Sequence, residues 1–276
     1  MDWIQGDKFI RIADYSYSPQ IKAMDDYDGL PNTLDINALE DYDIIYTHAI
    51  YVKALFRHIE LINKKLIIIT HNSDLNIDVS YNLPDNVLVW HAQNVNVLNP
   101  RIKSIPIGLE NDRWFPNVHK KEKMLDKLQN HRLYINLVYM NHNIRTNPSE
   151  RQVLYDMFER ERWVDSQRLV NGADFGSYIN NIYNHKFVLC PPGNGIDTHR
   201  IWECLYMGTV PIVKWCPNWV FYDDLPILVV NDWEEVTEKF LSGAWDEIQK
   251  ITWNRDKLNF EYWKNKIRGD KRQVYG

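Results

Sequence analysis

Apolar and polar positions along this chain follow two rhythms that take turns. Predominantly apolar runs of strand length occur at residues 43–47 (DIIYT), 65–70 (KLIIIT), 86–90 (NVLVW), 133–140, 186–190, 211–213 and 227–230. Such runs fit strands buried on both faces. Residues 9–12 and 105–107 read as two shorter strands. Between the strands the apolar spacing becomes helical. Residues 49–59 place Ile50, Val52, Leu55, Phe56 and Ile59 along one stripe. Residues 147–158, with Pro148 in the first turn, 198–207, 233–241 after a cap at Asn231 or Asp232, and 258–267 continue the pattern. Strands that alternate with helices predict parallel sheets.

The rhythm breaks once. Residues 117–132 are polar and rich in charge, with Lys120, Lys121, Glu122, Lys123, Asp126 and Lys127. They read as an interdomain connector or as a solvated surface helix within one domain. The connector reading gives a first Rossmann-like domain at 1–118, a linker at 119–132 and a second domain at 133–276. No internal repeat is visible.

The densest chemistry lies at residues 185–213, HKFVLCPPGNGIDTHRIWECLYMGTVPIV. A strand runs into Pro191, Pro192, Gly193, Asn194 and Gly195, which forbid regular structure and leave backbone N–H groups exposed. Asp197 or Thr198 can cap the following helix, and Gly208 ends it. A loop between a strand's carboxyl end and a helix's amino end is where open α/β sheets hold anions. Arg200 and Glu203 sit one turn apart near that end, with His199 beside them. The guanidinium suits a diphosphate, and the carboxylate can accept hydrogen bonds from a ribose diol.

On Pro192, Gly193, Thr198, Arg200, Glu203, Gly208 and Pro211 this segment resembles the carboxyl-terminal domain of exostosin-like glycosyltransferases. It is more distantly similar to that of α1,3-fucosyltransferases. The likeness extends weakly to residues 69–74 (ITHNSD), 105–111 (IPIGLEN) and 141–151 (NHNIRTNPSER). It implies a GT-B fold, two Rossmann-like domains facing each other across a cleft. It also implies a nucleotide-sugar donor, a UDP- or GDP-sugar, on the second domain, and a terminal helix returning toward the first. A metal-independent glycosyltransferase is then expected, with a glycan or other hydroxyl acceptor and no further cofactor. Arg145 corresponds to an arginine that contacts the donor phosphate in fucosyltransferases, and Arg151 is the alternative. Asn147 belongs to the same loop, as a turn former or a hydrogen-bond donor.

An inverting transfer needs a group to take the acceptor's proton. The first-domain candidates follow strand ends: Asp74, His71 and Glu110, and beyond them His48, His91 and Asp112. Asp74 is preferred as an acid just past the clearest strand. Its alternative is an Asx turn or helix cap, and that of His71 is a structural histidine. The DYD triplets at 26–28 and 41–43 read as polar turns, and neither is expected to hold a metal.

Composition narrows the partners. The chain has 276 residues with 32 basic and 37 acidic side chains, a formal charge of −5. That balance does not favour nucleic acid as acceptor. Cys190, Cys204 and Cys216 lack metal-ligand spacing and read as reduced residues of a cytoplasmic protein, soluble or peripheral at a membrane. Neither a signal-peptide pattern nor an apolar run of spanning length is present.

Overall fold

The computed structural model describes residues 2–19, 29–113, 119–168 and 174–273. The first DYD triplet, at 26–28, and the expected domain end at 118 lie outside them. The chain divides into two compact units, Met1–Leu109 with Asn259–Gly276, and Glu110–Leu258. Each is a five-stranded parallel sheet with helices, as two Rossmann-like domains require.

The first unit contains β1 (Tyr15–Tyr17), β2 (Ile44–His48), β3 (Leu66–His71), β4 (Val87–Ala92) and β5 (Ile102–Ser104), in the spatial order of the chain. Every residue of β2 and β3 is buried, which is why their apolar runs are unbroken. Residues 9–12 are helical rather than extended. The helix α1 (Gly6–Phe9) runs into a 3-10 turn at Ile10–Ile12. Phe9 and Ile12 are buried at a spacing of three, a helical face too short to distinguish from a strand by pattern. The edge strand β1 escapes the apolar pattern because buried Ser16 is satisfied by polar bonds instead. The strand expected at 105–107 lies earlier, as β5. Ile105 N–H still donates to the Ala92 carbonyl, but Pro106 has no N–H to extend the ladder. Next in chain order come α2 (Val52–Ile59), which buries the expected stripe, and the second unit's α3 (His119–Leu128).

The second unit contains β6 (Asn136–Met140), β7 (Val164–Ser166), β8 (His185–Leu189), β9 (Val210–Lys214) and β10 (Leu228–Val230), ordered β10-β9-β8-β6-β7. The chain leaves β6 for β7 on one side and then crosses to β8 on the other. The order therefore reverses beside β6, and that is the topological switch point of this sheet. The helices are α4 (Pro148–Phe158), α5 (Phe175–Asn184), α6 (His199–Met207) and α7 (Glu238–Ile248). The core packs Val138, Met140, Leu154, Phe187, Ile212 and Trp233 together. The helix expected at 233–241 is two pieces. Asp232 and Glu235 close a capping box on a short 3-10 turn, and Thr237 then caps α7 by accepting from Phe240 N–H. Gly208, at φ 70°, ends α6 in the left-handed conformation.

The last helix, α8 (Phe260–Gln273), belongs to the first unit. Phe260 N–H donates to the Asp2 carbonyl, and the Asp270 carboxylate meets Lys103 Nζ and His91 Nε2, each at 3.0 Å. Among the described residues no helix is long and apolar enough to cross a membrane.

Candidate functional site

The loops after β6 and β8 meet at the second unit's switch point, and one buried arginine holds them together. Arg151, on the first turn of α4, is 9% exposed. Its Nε donates to the Pro192 carbonyl at 2.9 Å, and its Nη1 donates to the Asn143 carbonyl at 2.8 Å and to Thr146 Oγ1. Asn147 caps α4 by backbone position, and its Nδ2 donates to the Gly193 carbonyl at 3.3 Å. Gly193 leaves room for the guanidinium: a Cβ there would lie 2.8 Å from Arg151 Nη2, so Arg151 would have to shift. Gly193 N–H donates to the Gly195 carbonyl, which closes the loop on itself. Asn194 is exposed at the loop's tip.

The loop delivers the chain to α6. Thr198 is the N-cap residue by backbone conformation, yet its hydroxyl makes no capping bond. Thr198 Oγ1 is buried without a hydrogen-bond partner. So is Arg200 Nη1, on the same helix end. Buried polar atoms of this kind are uncommon and ask for a partner. Asp197 is buried and accepts from Trp202 Nε1 at 2.8 Å, which anchors the loop to the helix.

Around Arg200 the structure adds a residue that the sequence did not disclose. Tyr178, on α5, lies under the guanidinium, 5.2 Å from ring centroid to Cζ. Its hydroxyl donates to Glu203 Oε2 at 2.6 Å. Burial opposes the Arg200 charge, but the Tyr178 oxygen, Cys190 and the Glu203 carboxylate outweigh it and raise the pKa above the ordinary arginine value. Arg151 is pushed the other way, to about 10, by burial and then by the charge of Arg200. Two neighbouring guanidinium groups that disfavour each other suit a ligand carrying more than one negative charge.

His142, just past β6, was also unforeseen. It is 1% exposed, and its Nε2–H donates to the Arg151 carbonyl at 3.1 Å. Its Nδ1 is buried without a partner. Burial, and next the charge of Arg200, lower its pKa to about 3, so the ring is neutral at physiological pH.

Glu110, Arg151, Tyr178, Thr198, Arg200 and Glu203 line one cavity of about 320 Å³, together with His199 and Phe175. Glu110 Oε2 lies 3.3 Å from His199 Nε2. Glu110, expected in the first domain, is thus placed by the structure among the donor-side candidates of the second unit. Arg145 lies on a 3-10 turn outside this lining, with its side chain exposed.

The remaining candidates lie in the first unit. His71 ends β3 and is 1% exposed. Its Nε2–H donates to the Pro106 carbonyl at 3.0 Å, and its Nδ1 already accepts from Asn72 N–H at 2.7 Å. Both ring nitrogens therefore serve the fold, which favours the structural alternative for this residue. Asp74 is exposed in the segment after β3.

No protein-family model matches the chain, and no curated protein matches it. Among solved structures it is similar to an α1,3-fucosyltransferase with GDP-fucose at 16% identity and TM-score 0.40, over 81% of this chain and 69% of the other. An α,α-trehalose 6-phosphate synthase from Burkholderia multivorans aligns at 11% identity and TM-score 0.41, over 87% and 72% of the two chains. A glycosyltransferase from Rickettsia africae aligns at 12% identity and TM-score 0.39, over 84% and 77%. Two parallel five-stranded α/β units in one chain are the parts of which a GT-B fold is made.

Proposed function

We propose that the protein is a GT-B glycosyltransferase that takes a nucleoside-diphosphate sugar at the second unit's switch point. One observation carries the reading. At the amino end of α6, Arg200 Nη1 and Thr198 Oγ1 are buried without partners in a cavity that also receives Arg151. A diphosphate supplies acceptors for all three, and the helix end adds its own positive potential. The Tyr178–Glu203 pair beside them offers a carboxylate to a ribose diol. Arg200 and Arg151 would stabilise the charge that grows on the leaving diphosphate. The acceptor is a hydroxyl compound, and a glycan fits the resemblance to exostosin-like enzymes. Its proton would go to a carboxylate, for which Asp74 and Glu110 are the candidates.

The test is turnover. The protein is incubated with a panel of UDP- and GDP-sugars and oligosaccharide acceptors, and nucleoside diphosphate release is followed. Release that depends on an acceptor and disappears in Arg200→Ala supports the reading. Release that is equal with and without acceptor favours a nucleotide-sugar hydrolase or epimerase. Tight binding without any release favours a binding module.

A further inference from the structure

The first unit has a cavity of its own at the carboxyl end of β1, about 470 Å³ in volume. That lies inside the roughly 300–1,000 Å³ span of small-molecule pockets. Its walls include Tyr17, Ser18, Asn32, Leu34, Ile36 and His58. The walls are fixed by bonds one residue away. Ser16 N–H donates to Thr33 Oγ1 at 2.9 Å, and the Ser16 hydroxyl donates to the Pro31 carbonyl at 2.7 Å. The Ser16 carbonyl accepts from the N–H groups of Thr33 and Leu34. Asn32 and Leu34 are therefore held against β1 rather than left to a wandering loop. His58 projects from α2, with its ring 5.5 Å from that of Tyr17.

Ser18 is the residue that asks for a ligand. It is 2% exposed, lines the cavity, and its hydroxyl has no hydrogen-bond partner. Ser16, two residues earlier and on β1, has every polar atom engaged. A buried hydroxyl left unpaired beside an open cavity is a poor choice for stability alone. The chemistry of the lining is also selective. Among the described residues it mixes aromatic and aliphatic faces with hydroxyl, amide and imidazole groups, and includes no lysine, arginine or carboxylate. Burial raises the Tyr17 pKa, so its phenol stays an uncharged donor. A ligand with apolar ring faces, several hydroxyls and no charge matches these walls.

We propose that this cavity is a binding site for an uncharged saccharide, with Ser18 Oγ as its buried hydrogen-bond partner and the Tyr17–His58 ring pair as its stacking wall. In the transferase reading the saccharide is the acceptor, but its binding needs nothing from the anion cavity of the second unit.

The test uses the full chain and four probes: lactose, maltose, cellobiose and N,N′-diacetylchitobiose. Saturation-transfer NMR detects binding, and titration gives the affinity. At least one probe binds. Ser18→Ala weakens it about tenfold, the scale of one hydrogen bond, while leaving the melting temperature unchanged or higher, because an unpaired buried hydroxyl is removed. His58→Ala, on an exposed helix position, weakens it as well. UDP and GDP affinity stays the same in both variants. The proposal is overturned if no probe binds, or if Ser18→Ala lowers the melting temperature and leaves sugar affinity intact. Loss of sugar binding in Arg200→Ala also overturns it, by moving the saccharide to the second unit. Failure of the donor reading alone looks different: the sugar binds and no nucleoside diphosphate does.

Discussion

Acid should unfold this protein partly through His142, and the size of the effect follows from its surroundings. The ring is buried beside Arg200, and its pKa falls from 6.5 to about 3 on folding. In the unfolded chain the ring regains its ordinary affinity for protons, so acid favours unfolding. The contribution is fully present above about pH 6.5 and is lost progressively as pH falls toward 3. At pH 5 the loss is roughly 2 kcal/mol. His142→Gln keeps an N–H for the Arg151 carbonyl and cannot titrate. Urea denaturation of both proteins at about pH 7.5 and pH 5 isolates the term. The variant should gain about 2 kcal/mol relative to the parent on going to the lower pH. Parallel stability at the two pH values would refute the assignment. A second arm tests the cause: in Arg200→Met the His142 resonance should titrate at higher pH than in the parent.

Thr198→Val removes an unpaired hydroxyl, so it should leave the melting temperature unchanged or raised, while nucleoside diphosphate affinity falls about fivefold or more in calorimetry. Gly193→Ala puts a methyl 2.8 Å from Arg151 Nη2, and the shift this forces on the guanidinium, at the expense of a bond to Pro192 or Asn143, should cost about 0.5–1.5 kcal/mol of stability in a denaturant titration. Exchanging the base for an amide should lower turnover by about 10²–10⁴-fold with donor binding retained. Applied to Asp74→Asn and Glu110→Gln, that measurement assigns the role, and full turnover in both would exclude a carboxylate base at either position.

The strands β2, β3, β4, β8 and β9 were legible because burial on both faces leaves an unbroken apolar run. The loop from Pro191 to Thr198 was legible because prolines and glycines have few other uses between a strand and a helix. What escaped was set by tertiary partners. Tyr178 matters because its hydroxyl reaches Glu203, twenty-five residues later in the chain. His142 is singled out by burial and by the nearby charge of Arg200, which no local pattern encodes. Arg151 was legible as a candidate phosphate ligand, but not as the residue that holds two loops through three hydrogen bonds. Ser18 was invisible for the same reason, since a serine becomes informative only when its neighbours are known to leave it unpaired.

The central claim is that the cavity at the amino end of α6 holds a nucleoside diphosphate. Calorimetric titration of UDP and GDP into the parent and into Arg200→Met tests it most directly. The parent should bind at least one of them, and the substitution should weaken binding by about 1.5–3 kcal/mol, roughly ten- to a hundredfold. The ligand-free variant is first checked for folding by its melting temperature, because the substitution also removes the guanidinium from the Tyr178 ring. Binding of neither nucleotide, or equal affinity in the two proteins, would contradict it.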